Sequence, residues 1–179
     1  VLTGGEIAAV VVIDAVVRGD ALPDSIHLRD YSPINVLAGN KLIRERGLEA
    51  IAHMEEGDAF NEESLAAVTP QPDLAIVSGL YELFPDNALI NRSLSGLARA
   101  QKPGSLLIYT NQPWHPQLEM IARALTSHRG GEAWVMRRRT QGEMDQLVEK
   151  AGYRKIEQRI DQWGIFTVSI AERVGDGEA

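Results

Sequence analysis

Polar and aromatic side chains recur in this chain immediately after short apolar runs. Asp30 and Tyr31 follow SIHLR; Asp58, Ala59 and Phe60 follow EAIAHMEEG; Ser78, Gly79, Tyr81 and Glu82 follow DLAIV; Trp114 and His115 follow SLLIYT. A carboxylate accepts both hydroxyls of a ribose diol, and in nucleotide folds that acid lies roughly twenty residues past the first strand-to-helix turn, which is where Asp30 stands relative to Ala9. Asp58 beside Phe60 suits an adenine, one group for the exocyclic amine and one for the ring face. An Asp after a strand is equally a turn former, so the pattern alone leaves both readings open. Tyr81 and Trp114 could set a hydroxyl or a π-face near a cation. His115, polar and loop-borne, is the candidate general base, although just before Pro116 it could also simply cap a helix. Glu82 completes the substrate side.

The elements that must position these groups alternate. The run from Asp73 stops at Ser78-Gly79 and reads as a strand buried on both faces, with Asp86-Asn87 opening the next helix. Before it, residues 6–9 can end a first strand and 10–17 form a helix closed by Gly19, while an uninterrupted helix or a single long strand fits nearly as well. Residues 25–28 form a short strand, and Ser32-Pro33 an N-cap with proline at the first helical position, leading a helix to Arg46 with Ile34, Leu37, Ala38 and Leu42 inward. Residues 49–55 read as a strand, followed by a short helix through Leu65 and Val68. After it come a helix over 87–101 with Ile90, Leu94, Leu97 and Ala98 on one face, a strand over 105–110, and a helix marked by Leu118, Ile121, Ala122 and Leu125. Thr140 with Glu143 is a capping box ahead of Met144, Leu147 and Val148, and Gly152 sits where a C′ glycine belongs. Residues 154–160 and 165–170 alternate as an antiparallel hairpin. The fold expected is α/β: a Rossmann-like, doubly wound, mostly parallel sheet with a C-terminal antiparallel hairpin, one domain over 1–174 and a tail over 175–179.

Composition narrows the function classes. At 179 residues, 44% hydrophobic and 24% charged, the chain can bury a real core. A net charge of −7 argues against nucleic acid or an anionic membrane as partner, and the triplet Arg137-Arg138-Arg139 reads as a solvated edge or a receiver for an acidic small substrate. No apolar run reaches membrane-spanning length and no segment has the order of a signal peptide. With no cysteine the expected compartment is cytoplasmic. His27, His53, His115 and His128 are scattered without ligand spacing, so no metal site is expected.

The segments RDYS at 29–32, GDAF at 57–60, SGLYELFP at 78–85, YTNQPWHPQ at 109–117 and MRRRTQGEMDQLVEKAGY at 136–153 together resemble the class I S-adenosylmethionine-dependent methyltransferases. More narrowly, they resemble a bacterial methyltransferase family whose members can be fused behind an α/β-hydrolase domain. The resemblance covers nearly all of residues 25–174. It implies S-adenosyl-L-methionine as cofactor, Asp30 on its ribose, Asp58 and Ala59 at the adenine edge, Tyr31 packing on the adenine, and Ser78-Gly79 as the wall near the methionine part. It also implies transfer of a methyl group to a small-molecule acceptor, with Trp114 and Glu82 on the substrate side. One departure stands out. The family's glycine-rich first turn is missing where Ala8-Ala9 runs into Val10-Val11, and EIAA and VVVIDAV look like the flanks of that turn. A true loss of the turn would fit a second reading, a non-catalytic nucleoside-binding or partner domain. A nicotinamide-dependent oxidoreductase is disfavoured by the absent fingerprint and the terminal hairpin.

Overall fold

The computed structural model describes residues 23–126, 131 and 133–175. The strand and helix expected over 6–17, the turn between Ala9 and Val10, His128 and the end of the tail lie outside the described residues. The described chain runs β1 (Ile26–Asp30), α1 (Pro33–Glu45), β2 (Ala52–Glu56), α2 (Glu62–Ala66), β3 (Leu74–Val77), a 3-10 turn (Tyr81–Leu83), α3 (Asn87–Ala100), β4 (Leu106–Asn111), α4 (Leu118–Ala124), α5 (Gln141–Lys150), β5 (Tyr153–Ile160) and β6 (Thr167–Arg173). β1 and β2 pair in parallel. β3 and β4 also pair in parallel, within a four-stranded sheet of order β3-β4-β6-β5 in which β6 runs antiparallel to both neighbours. The closing hairpin is therefore present, with its second strand lying against β4. Ile76 of β3 packs on the cluster formed by Ile26, Leu28, Ile43, Leu48, Ala52 and Met54, which joins the two sheets side by side.

Periodicity explains α3 well. Ile90, Leu94, Leu97 and Ala98 are all buried as their spacing predicts, and Asp86 caps the helix by accepting the Ala88 N–H at 2.8 Å. At Gly96 an added Cβ would stand 2.7 Å from the Glu62 carbonyl oxygen, so the close α2–α3 crossing requires glycine there. In α5 the Thr140 hydroxyl accepts the Glu143 N–H at 3.1 Å, as the capping box predicts. The Glu143 carboxylate does not return to the cap; it takes Asn87 and Arg137 instead.

Two helices depart from the pattern read in the sequence. In α1, Ile34 and Leu37 are 76% and 72% exposed, while Gly39 and Ile43 are buried. The smallest residue sets the phase: a Cβ at Gly39 would collide with the Met54 thioether, so the helix approaches β2 through Gly39, and Asn40 holds the Met54 backbone by two hydrogen bonds. The Ser32 hydroxyl makes no cap bond; the Asp30 carboxylate instead holds the helix start by accepting the Ser32 N–H and the Asn35 side-chain amide. In α4 no residue is fully buried, and Leu125 is about half exposed despite its helical spacing.

Candidate functional site

The tips of the parallel strands are tied to one another through backbone and loop contacts. The Gly57 N–H donates to the Asp30 carbonyl at 2.9 Å, which sets Asp58 beside Asp30. Asp30 is buried; its Oδ1 accepts the Ser32 N–H at 2.8 Å and the Asn35 amide at 3.2 Å, and among the described residues its Oδ2 has no hydrogen-bond partner. Tyr31, the next residue, is 76% exposed. Asp58 is exposed and Ala59 half-buried. Asp58 Oδ1 accepts the Phe60 N–H at 2.8 Å, a turn that swings the Phe60 ring inward. There it meets Phe84 edge to face, with centroids 4.4 Å apart. Phe60 is thus a core residue whose ring is spent on Phe84, not the open face for an adenine that its position suggested. The same contact ties the loop after β2 to the loop after β3.

After β3 the chain bends at Gly79, whose φ of +67° favours glycine and whose missing side chain leaves open space. The Gly79 N–H donates to Thr110 of β4 at 2.8 Å, and Ser78 beside it is half-buried. The 3-10 turn then drives Tyr81 into the core, 2% exposed, with its hydroxyl 2.9 Å from Ser93 Oγ. Burial pushes that phenol far above its usual range. Tyr81 therefore does not offer a hydroxyl to the crevice, contrary to the expectation from the sequence. Glu82 is 5% exposed, and its Oε2 has no partner among the described residues. Burial pushes its carboxyl above the usual carboxylate range, against smaller opposing pulls that include Arg138 and Arg139.

The arginine triplet is not a solvated edge. Arg139 is 1% exposed and donates to Tyr81 O, Phe84 O and Asn87 Oδ1, each at 2.7 Å. Arg137 donates to Pro85 O at 2.7 Å through its side chain and to Glu82 O at 3.2 Å through its backbone. Arg138 reaches the side chain of Gln112, past the end of β4, and its carbonyl at 3.3 Å. The 3-10 turn takes up the Leu80 carbonyl and shares that of Tyr81, and the guanidinium groups of Arg139 and Arg137 answer the carbonyls of Tyr81, Phe84 and Pro85. Asn111, also buried, donates to Arg139 O at 3.2 Å, so β4 joins the same clamp.

Beyond β4, Trp114 is 54% exposed and His115 half-buried. The His115 Nδ1 accepts the Gln117 N–H at 3.1 Å. A neutral imidazole so engaged carries its proton on Nε2 and has no free lone pair to act as a base. A second cluster lies elsewhere and was missed: the parallel register sets His27 opposite His53, and Glu55 joins them. Burial, then the neighbouring His53, lowers the His27 pKa below its ordinary value. The sequence expectation of scattered histidines fails here because pairing between strands has no signature in linear spacing.

Residues 6–173 match the family described as "Putative methyltransferase". Over 162 residues the chain is 60% identical to YnbC of Escherichia coli (strain K12), covering 90% of this chain and 28% of that protein. Among solved structures, a protein from Bordetella parapertussis described as a possible exported protein aligns with a TM-score of 0.72 and 18% identity, over 97% of this chain and 62% of the other. A SAM-dependent methyltransferase from Methanosarcina mazei aligns with a TM-score of 0.63 and 18% identity, over 84% of this chain and 82% of the other. At such identity these likenesses show the fold. The chain spans just over a quarter of the length of its E. coli relative. No described helix is long and apolar enough to cross a membrane.

Proposed function

The chain belongs to that methyltransferase family, and on this premise we propose that it transfers a methyl group from S-adenosyl-L-methionine to a small-molecule acceptor. The observation that carries the reading is the pair of carboxylates at adjacent strand tips: Asp30, buried with Oδ2 unpartnered among the described residues, beside the exposed Asp58. A carboxylate at a strand tip that commits only one oxygen to its own loop keeps the other to accept the hydroxyls of a ribose diol. The residues present fit the cofactor in other respects. Open space stands before Gly79, and Tyr31 is free to cover a planar base. Asp58 and Ala59 take the adenine edge; Ser78 and Gly79 form the wall beside the methionine part. When bound, the cofactor supplies an electrophilic methyl on a sulfonium sulfur.

On the acceptor side Trp114 offers an exposed aromatic face, and Glu82 offers Oε2. A carboxylate whose proton affinity is raised by burial is a better base at neutral pH than an exposed one, so Glu82 takes the proton released by an acceptor N–H or O–H. His115 is the weaker candidate because its Nδ1 is occupied by the Gln117 N–H. Tyr81, with its hydroxyl on Ser93, keeps only a supporting part beneath the loop. Alignment of nucleophile, methyl and sulfur then carries most of the rate.

The absence of a glycine-rich turn between Ala9 and Val10 favours the second reading, a non-catalytic nucleoside-binding or partner domain. Calorimetric titration with S-adenosylhomocysteine tests cofactor recognition, and single-turnover transfer from labelled S-adenosylmethionine to an acceptor library separates the two readings. Absence of binding would sink both. A cytoplasmic location is supported by the lack of cysteine, and the greater length of the E. coli relative leaves room for the fused hydrolase domain.

A further inference from the structure

We propose that His27, His53 and Glu55 form a binding site for a divalent transition-metal ion of the zinc class. The parallel register pairs His27 with His53 and Arg29 with Glu55, and alternation along a strand puts all four on the face opposite the one that packs on α1 through Met54 and Gly39. One ligand atom from each of His27, His53 and Glu55 lies within 4.8 Å of the others. Two imidazoles and a carboxylate suit zinc, with a fourth position left to water.

Polar atoms in this cluster lack partners. The His27 Nε2 is buried and unsatisfied; it sits 3.0 Å from Glu55 Oε1 without the alignment of a hydrogen bond. The two rings stack at 4.3 Å between centroids and 29° between planes, so rotation of the exposed His53 side chain is what brings its nitrogen round to a shared ion. Arg29 supplies the outer support. Its Nε lies 3.3 Å from Glu55 Oε1, and its other nitrogens donate to Ser64 O and Ser64 Oγ. One carboxylate oxygen is thereby oriented and the other left for the ion. Gly57 makes room for this arrangement, since a Cβ there would stand 2.5 Å from Arg29 Nε. The guanidinium charge opposes a cation, which makes the site weaker than a structural zinc centre.

His27 lies three positions before Asp30, toward the opposite end of β1 from the proposed cofactor site. The ion therefore pins β1 to β2 and stabilises the fold; it takes no part in methyl transfer, and the inference stands whether or not the chain is a methyltransferase. The test is titration of tag-free, full-length protein with Zn²⁺ by calorimetry, and with Co²⁺ by visible absorption. One ion per chain is expected, with four-coordinate Co²⁺ bands. His53→Ala and Glu55→Gln, both at exposed positions, should each weaken binding by about tenfold or more, and added Zn²⁺ should raise the thermal midpoint of the parent protein but not of His53→Ala. Unchanged affinity in His53→Ala, or no saturable binding up to roughly 1 mM metal, would overturn the site.

Discussion

Replacing Glu82 by Gln keeps the shape of the side chain and removes its charge from a place where burial disfavours it. The parent protein carries a carboxylate oxygen that is buried and without a partner among the described residues. Such a group costs about 1–3 kcal/mol, and the nearby Arg138 and Arg139 offset part of this, leaving about 1 kcal/mol. For a domain of this size that corresponds to about 2–4 °C in thermal midpoint. The pH dependence follows from the direction of the shift. The folded-state pKa lies above the ordinary value of 4.5, so the parent has its full stability below 4.5 and loses some as pH rises through the folded value. Glu82→Gln should match the parent in acid and exceed it near pH 8. Scanning calorimetry across that range reads the difference directly. A variant that is less stable than the parent at neutral pH, or equally displaced at every pH, would refute the reasoning. The same substitution should lower the rate of methyl transfer by roughly 10²–10⁴ while leaving S-adenosylhomocysteine affinity unchanged.

Asp30→Asn should weaken S-adenosylhomocysteine binding by roughly 10–100-fold, the loss of a charge-assisted hydrogen bond to the diol, as read by calorimetry. Arg139→Lys gives up a fork that serves Tyr81, Phe84 and Asn87 together, and should cost about 1–3 kcal/mol by urea denaturation for the buried acceptor it leaves unanswered. His115→Ala should change turnover by no more than about twofold, since its Nδ1 already serves the Gln117 N–H; a large loss with cofactor affinity intact would restore it as the base. The His27 pKa lies below 6.5 in the folded state, so stability is full above 6.5 and falls as pH drops through the folded value. His27→Gln should flatten that slope in metal-free protein, where His53, Glu55 and Arg29 are the charged and titratable groups that face the ring.

The sheet and α3 were legible because a buried strand and a one-faced helix are written in linear periodicity: DLAIV and Ile90, Leu94, Leu97 carry their own geometry. The order of groups past the strand ends was legible for the same reason, and it singled out Asp30 and Asp58 as candidates. What failed was direction. Phe60 and Tyr81 look like lining residues in sequence, yet an Asx turn at Asp58 and a 3-10 turn after Gly79 point both rings into the core. The phase of α1 was missed because Gly39, with no side chain, decides how closely the helix approaches Met54. Cross-strand and cross-loop chemistry leaves no linear trace at all: His27 meets His53 through register, and Arg139 meets Tyr81 across 58 positions.

That last pairing bears on how Glu82 keeps its proton affinity with two guanidinium groups nearby. Were the charges free to face it, the carboxylate would be held well below its usual range. Arg139 instead directs its donors at two carbonyls and an amide, and Arg138 directs one of its own at Gln112. Donors committed to neutral oxygens hold the loop in shape without hydrogen-bonding the carboxylate, so desolvation wins over attraction. The donors that Arg139 spends on the Tyr81 and Phe84 carbonyls go to the loop, and Arg138, whose Nε has no partner among the described residues, does not hydrogen-bond the carboxylate either, so both arginines act on Glu82 only through space.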